Sequence, residues 1–583
     1  MTTDEAAGTT SVHEHRSKRR DTEVTRADGD APVDSQDKTG STIAWPELLV
    51  LIGLVVVGAV IRAHGFTNLD LWFDDAWAAA PARVGLSKAI HMVLTAPGYG
   101  LALRSWLRLD PTTTWFGQLP AFVLSLAAIP AVFGLIRFFR FPRWIALGAA
   151  TLVAMGPLTV QYATRLKEYP FDLLACCALL VLAERVRRTP SPRRLIELAV
   201  ASVVLFFMSA GSVPVIAAVW LTLGLALLGD GRARRRLVTC AGAAAAGCAV
   251  VWVVFLRHIP PVLSVNWRRR GYLMDYRSLG AAERTATLIL GGFFHAVLGY
   301  PVPVNFFENA RGPHAPSVAV LGALLLVVAI GVPVVGSIRR RRILPTLPAA
   351  MTLLCALVLA AVDRVPLGDG RTDEVLYPAL FVCLAAVVAA ATPLARRVVP
   401  VGRPARLFSI ALAVALLAGA VAFGVAHPAK YPTISLRGVE ARLGPLEHPG
   451  DVVFVDTFNS FAWCYYELSA CRTQVGGTPP WPQGFRPVSI STAPSVFIAS
   501  HYGIPLPELT AAQARAKRIW YVGYTYGTYD VGTDPARYNV PVVPTYMTGL
   551  LKADGWRPAP AGPTTEVLGV HAYALLLVRS HPR

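Results

Sequence analysis

The sequence predicts a polytopic α-helical membrane protein that ends in an extracytoplasmic α/β domain. Hydrophobic residues make up 54% of the 583 residues and charged residues only 16%, and the mean hydropathy is +0.48. A soluble chain of this length carries more charge, so the composition indicates membrane spans. A series of apolar runs, each about as long as a bilayer-spanning helix, supports this class. Arginine clusters between alternate runs support it further.

The first 42 residues are polar, lack aromatic residues and show no apolar periodicity. They are predicted to be a disordered cytoplasmic tail. The first apolar run, 43–61, follows this tail and therefore starts too late for a cleaved signal peptide. It is predicted to be the first span.

Residues 43–426 hold about eleven predicted spans. After 43–61, the apolar runs lie at 118–139, 144–163, 170–186, 195–211, 213–228, 237–256, 317–337, 343–362, 375–394 and 406–426. Arginine clusters in alternate loops predict that these loops and the N-terminus are cytoplasmic. The net charge of +19 then reflects topology, and no nucleic acid partner is predicted. The large loops 62–117 and 257–316, and everything after residue 426, are predicted to lie outside.

The C-terminal region, 427–583, is rich in Pro, Gly and aromatic residues and contains short β-rich runs such as "DVVFVD", "RIWYVGYTY" and "AYALLLV". These runs predict a small α/β domain. On the outer side of the membrane, Cys464 and Cys471 could form a disulfide. Two free thiols in a core fit their seven-residue spacing equally well.

The first outer loop carries two adjacent carboxylates, Asp74 and Asp75, within "LDLWFDDAW". Acids at the membrane edge are costly to desolvate, so they need solvent, a cation or a proton-transfer role. The alternative is a solvated loop that Trp72 and Trp77 anchor at headgroup level. Residues 78–116 are apolar at helical spacing but interrupted by Pro97 and Gly98, which predicts helices lying along the membrane surface.

Cations occur on the outer side, against the usual inside bias. The turn "TRLKEYPFD" carries Arg165 and Lys167, together with the site candidates Tyr169 and Asp172. The third outer loop carries Arg268, Arg269 and Arg270 beside aromatic residues. A guanidinium group can donate two parallel hydrogen bonds to the oxygens of one phosphate. Two alternatives also explain such cations: side chains that snorkel to the membrane surface, and attraction to anionic lipid headgroups.

A late outer loop reads "LGDGRTDE", in which two glycines flank Asp369 and precede Arg371. Glycines let a backbone approach a ligand closely, and Arg371 could meet an anion at the start of the next helix. A tight turn explains the glycines equally well.

Taken in order, these motifs resemble the GT-C glycosyltransferases, in particular the bacterial membrane enzymes related to protein O-mannosyltransferases and to lipid A aminoarabinose transferase. The resemblance covers residues 43–426. It rests on "LWFDDAW", "APGYGLALRSWLRL", "GPLTVQYATRLKEYPFD" and "LGDGRTDEVLYP".

The resemblance implies a GT-C-like fold and a polyprenyl-phosphate-linked hexose or pentose as donor. The sugar would pass, with inversion, to an extracytoplasmic glycan, lipid or protein. Asp74 matches the family's catalytic base, whereas Asp75 stands where relatives often have Glu and would orient the base or bind a metal. Arg165, Lys167 and Arg371 match cations near the donor phosphate. Some members use a divalent metal such as Mg²⁺ or Mn²⁺, and the Asp pair is compatible with either case.

Two other function classes remain open: a transporter or flippase of lipid-linked sugars, and a non-catalytic envelope assembly protein. Transporters generally show internal repeats and charged or broken helices at mid-membrane. Here the polar residues concentrate in outer loops and no clear repeat is seen. This pattern favours the enzyme.

Overall fold

The computed structural model describes most of residues 45–398 and parts of the C-terminal region. The described ranges are 45–83, 85–90, 96–227, 231–257, 273, 276–298, 315–340, 343–367 and 372–398, then shorter stretches between 418 and 579. The chain divides into two units, Met1–Leu49 and Val50–Arg583. In the first unit the described residues begin helix α1, and all contacts given below lie within the second.

Helices dominate the described residues up to position 398. They are α1 Trp45–Ala63, α2 Phe73–Ala79, α3 Leu86–Ile90, α4 Pro97–Leu107, α5 Thr114–Phe138, α6 Arg143–Met155, α7 Pro157–Gln161, α8 Tyr169–Arg188, α9 Pro192–Met208, α10 Val213–Leu227, α11 Gly231–Val251, α12 Leu279–Leu298, α13 Ala315–Arg339, α14 Leu347–Ala361 and α15 Tyr377–Val398.

Six helices among the described residues are long and apolar enough to cross a membrane. They lie within Trp45–Ala63, Thr114–Phe138, Ala210–Leu227, Gly231–Leu256, Ala319–Arg339 and Glu374–Thr392. Arg143–Met155 and Leu347–Ala361 are shorter apolar helices. The chain is therefore a multi-span helical membrane protein. The predicted span at 406–426 lies almost wholly outside the described residues.

Proline begins helices in this protein more often than it interrupts them. Pro97 stands at the start of α4, and Pro157, Pro170, Pro192 and Pro348 hold the same place in their helices. Proline is tolerated there because the first N–H groups of a helix have no intrahelical acceptor. Pro97 begins α4, in agreement with the break that the apolar pattern shows at Pro97 and Gly98.

Arg62, in the last turn of α1, ties three helices together. Its side chain is fully buried. Nε donates to Ser125 Oγ of α5 at 2.8 Å, and the two Nη atoms donate to the carbonyls of Val153 and Ala154 in α6 at 2.7 and 2.5 Å. These bonds satisfy a buried cation and fix the C-terminal end of α1, after which the predicted outer loop begins.

The C-terminal region forms a seven-stranded mixed sheet with the order β2-β3-β1-β4-β7-β5, and β6 also pairs with β7. β1 runs parallel to β3 and β4, and the other pairings are antiparallel. The three β-rich runs of the sequence supply β1, β4 and β7. The strands are β1 Val452–Val455, β2 Arg486–Val488, β3 Ser495–Ile498, β4 Ile519–Tyr524, β5 Trp556–Pro558, β6 Glu566–Leu568 and β7 Ala572–Arg579. Helix α16 Leu436–Leu443 precedes β1, and helix α17 Thr457–Tyr466 lies between β1 and β2.

The sheet shares one hydrophobic core with loop 62–117, the predicted first outer loop. Leu71, Ala76 and Leu103 from the loop pack in the same buried cluster as Val453 of β1 and Trp520 of β4. An isolated bridge joins Asp70 to Ile434, with the Asp70 N–H donating to the Ile434 carbonyl at 2.9 Å. The acidic motif therefore lies at the junction between the membrane helices and the C-terminal sheet.

Candidate active site

The two adjacent acids lie in the first turn of α2 and occupy different environments. Asp75 is fully buried, whereas Asp74 is partly exposed. Neighbouring residues on an α-helix point about 100° apart, so a carboxylate pair on a short helix presents one member to each side. Of the two carboxylates, Asp74 is therefore the more accessible to solvent.

Asp75 is held by the predicted cationic turn between α7 and α8. Arg165 Nε donates to Asp75 Oδ2 at 2.8 Å, and the backbone N–H of Leu166 donates to Asp75 Oδ1 at 3.0 Å. The Arg165 guanidinium also lies 4.8 Å from the ring centroid of Trp72. A buried carboxylate is tolerated when a cation and hydrogen bonds compensate it, and both are present here.

Lys167 lies on the same turn and is also buried, with 8% of its surface exposed. Its Nζ lies 5.0 Å from the ring centroid of Trp77, within range for a cation–π contact. Within the described residues no carboxylate forms an ion pair with Lys167.

A second group of polar side chains lies behind Asp75. Tyr99 of α4 has a buried hydroxyl, and its pKa is raised by burial and by the negative charges of Glu168, Asp75 and Asp172. Asp172, in the first turn of α8, is buried against Gly211, where an added Cβ would lie 3.3 Å from Asp172 Oδ2. The structure thus brings the predicted candidate Asp172 near the acid pair and adds Tyr99.

Tyr169, another predicted candidate, begins α8 and packs edge to face with Tyr162, their ring centroids 5.5 Å apart. Its ring therefore helps to fix the end of the cationic turn. Tyr99 went unpredicted as a site residue because its environment depends on α4 packing beside α2. The "PGYG" letters around it suggest only a turn.

Several predicted site residues lie outside the described residues: Arg268, Arg269, Arg270, Asp369, Arg371 and Cys471. Cys464 lies on α17, and the structure describes only its backbone. The phosphate-binding roles of these arginines and the disulfide remain predictions.

The predicted metal-binding role of Asp74 and Asp75 stays a prediction, and the described residues supply few further ligands for a divalent cation. Both Asp75 oxygens already accept hydrogen bonds, one of them from a guanidinium. Among the described residues there is no group of three or more His, Cys, Asp or Glu side chains that could hold a metal. Calcium and magnesium sites use several oxygen ligands, which this arrangement does not bring together.

No protein-family model matches this chain, and no curated protein sequence matches it. Solved structures do. ArnT from Cupriavidus metallidurans in the apo state is 13% identical, with 91% of this chain and 97% of that chain covered and a TM-score of 0.46. An oligosaccharyltransferase from Archaeoglobus fulgidus, in complex with Zn and sulfate, is 11% identical over 81% of this chain and 67% of that chain, with a TM-score of 0.48.

A third similar structure is arabinosyltransferase EmbB from Mycobacterium smegmatis, which is 15% identical over 60% of this chain and 31% of that chain, with a TM-score of 0.37. All three are GT-C glycosyltransferases, the family that the sequence motifs resemble. At these identities and TM-scores the similarity does not by itself assign a substrate or an activity.

Proposed function

We propose that this protein is an integral-membrane glycosyltransferase that transfers a sugar from a polyprenyl-phosphate donor to an extracytoplasmic glycan, lipid or protein. The observation that carries the proposal is the difference in environment between the two adjacent acids. The Asp75 carboxylate accepts hydrogen bonds from Arg165 and Leu166, while the neighbouring Asp74 is partly exposed. A buried cation without an anionic partner among the described residues, Lys167, lies on the same short turn as Arg165.

The proposed reaction is an inverting displacement. Asp74 accepts the proton of an acceptor hydroxyl while that oxygen attacks the anomeric carbon of the donor sugar. The bond between the anomeric carbon and the phosphate oxygen breaks on the opposite face, and polyprenyl phosphate leaves with its negative charge. Lys167 stabilises that charge, because a fixed cation is most effective where charge develops in the transition state.

Arg165 has a different proposed role from the one that the family resemblance implies. Its Nε is committed to Asp75, so its first effect is to hold α2 against the cationic turn. We propose that Lys167 is the main cation that binds the donor phosphate and that Arg371 assists it. Arg268, Arg269 and Arg270 are proposed to attract the donor's phosphate at the membrane surface.

The proposed topology places the N-terminus in the cytoplasm and residues 427–583 outside, across about eleven spans. The arginine clusters support this orientation. The core shared by the C-terminal sheet and the first outer loop supports it as well, because both parts must then lie on one side of the membrane.

The test is Asp74→Asn, which removes the proposed base with little change in size. With a labelled polyprenyl-phosphate sugar as donor, we expect transfer to fall about 100-fold or more, because general bases contribute on this scale. Asp110→Asn is the matched control, since Asp110 is a partly exposed acid of the same loop whose carboxylate accepts hydrogen bonds from Thr112 and Thr113, in the turn before α5. Normal turnover in Asp74→Asn would contradict the assignment of Asp74 as the general base.

The same labelled donor separates the enzyme from the two other classes. A glycosyltransferase releases free polyprenyl phosphate and leaves label on an acceptor. A flippase moves the intact donor between the leaflets of a vesicle, and an assembly protein does neither.

A further inference from the structure

The nine-residue segment that contains the acid pair is also held from the C-terminal side. Asp70 is buried, and its carboxylate accepts hydrogen bonds from the backbone N–H of Arg437 at 2.7 Å and from Arg437 Nε. The Leu71 N–H donates to the Tyr466 hydroxyl at 2.9 Å. Two consecutive residues just before α2 are therefore bound to α16 and α17.

These two C-terminal residues form one unit. The Arg437 guanidinium lies 4.4 Å from the ring centroid of Tyr466, and the Tyr466 hydroxyl lies 3.4 Å from Thr114 Oγ1 at the start of α5. Burial and the nearby Asp70 charge raise the pKa of Tyr466 to about 12, so its hydroxyl keeps its proton at neutral pH. The unit links the C-terminal region, the acidic motif and a membrane helix.

We propose that Arg437 and Tyr466 are positioning residues that set the place of Asp74. Asp74 lies four residues after Asp70 and one before Asp75. The motif is thus fixed on one side by Arg437 and Tyr466 and on the other by Arg165 and Leu166. A base must sit within hydrogen-bond reach of its proton, and a shift of about 1 Å can cost about 100-fold in rate. The proposal rests on the proposed function and gives the C-terminal region a role in it.

The experiment compares Tyr466→Phe and Arg437→Met with wild type. Tyr466→Phe removes one hydroxyl and keeps the ring, so folding is expected to survive. We expect kcat to fall about ten-fold or more, the KM for the donor to stay within about two-fold, and the thermal midpoint to change little. Arg437→Lys keeps the charge but loses the forked geometry, so its kcat should lie between those of wild type and Arg437→Met.

Hydrogen–deuterium exchange supplies a readout that does not depend on activity. Amides in 69–77 should exchange faster in both variants, whereas amides of α8 should not change. Arg442→Met is the matched control, because Arg442 lies on the same helix, is exposed and bonds its Nε to its own helix at the Gly438 carbonyl. We expect this control to match wild type in both readouts.

Unchanged exchange at 69–77, or unchanged kcat, would overturn the positioning role, and so would a rise in KM without a fall in kcat. Such a result would leave the proposed function standing if Asp74→Asn is inactive. Conversely, Asp74→Asn could be fully active while exchange at 69–77 is faster in Tyr466→Phe. That result would contradict the proposed function but would support the structural restraint on the motif.

Discussion

Asp74 and Asp75 show how much a pair of identical neighbours can differ once the chain is folded. The sequence predicts that the pair needs solvent, a cation or a proton-transfer role, and that Arg165 and Lys167 lie on the same side of the membrane. It does not predict which acid takes which cation, because the pairing joins residues 90 positions apart. The pairing depends on which side of helix α2 faces the cationic turn in the folded protein. The same limit explains why Arg437 and Tyr466 were not predicted as partners of the motif.

Arg165→Met is expected to destabilise the protein strongly. The variant leaves the fully buried Asp75 carboxylate without its cation, and breaking a buried pair in this way costs about 3–5 kcal/mol. The measurement is thermal unfolding in detergent. Replacing both partners, as Arg165→Met with Asp75→Leu, should recover part of the loss, because no charge then stays buried alone.

Arg193→Met is the matched control for this pair. Arg193 also forms an ion pair, with Glu197 at 2.9 Å, but its side chain is 89% exposed. Exposed pairs contribute about 0–1 kcal/mol, so this variant should unfold near the wild-type temperature. An equal drop of the unfolding temperature in Arg165→Met and Arg193→Met would contradict the assignment of Asp75 as a buried acid whose charge Arg165 compensates.

At the scale of elements, hydropathy predicts where helices form, and six of the described helices are long and apolar enough to cross a membrane. Helices overlap every predicted span up to 375–394, and α4 lies within the predicted surface-helix segment. Long apolar runs are strong signals because lipid allows few other conformations. α12, in the predicted outer loop 257–316, gives a weaker signal because charged residues and glycines dilute its apolar run, and it packs against α13.

The contact between α12 and α13 depends on Gly322. A Cβ at this position would lie 2.0 Å from the backbone carbonyl oxygen of Leu290, so Gly322→Ala forces the two helices apart. Small residues allow this kind of close approach in membrane helix pairs. We expect Gly322→Ala to cost about 1–3 kcal/mol, as overpacking usually does.

Gly331→Ala on the same helix is the control, since nothing lies within 4 Å of its added Cβ. It should leave the thermal midpoint unchanged or slightly higher, because alanine favours helix more than glycine does. The difference between the two midpoints in detergent measures the packing effect. A Gly322→Ala protein as stable as Gly331→Ala would show that α12 and α13 do not meet this closely.

At the scale of the whole molecule, the C-terminal region is predicted as an exported α/β domain, and strands β1, β4 and β7 form at its three β-rich runs. What the sequence does not predict is where the sheet packs. β1 and β4 bury their side chains in a core to which α2 and α4 also contribute, more than 300 residues earlier in the chain. Hydrophobic periodicity shows that a face is buried but not which partner buries it.

This shared core predicts that the C-terminal region stays bound after the chain is cut. A protease site engineered between residues 429 and 434 would separate 434–583 from the membrane helices covalently. We expect the two fragments to co-elute in size-exclusion chromatography, because buried residues such as Leu103 and Trp520 lie in one apolar cluster and Arg437 pairs with Asp70. Adding Asp70→Asn and Tyr466→Phe should weaken the association without abolishing it, since the apolar contacts remain. Separation of the cut wild-type fragments would instead indicate a domain that folds and stands by itself, and the restraint on the acidic motif would then have to come from the membrane helices alone.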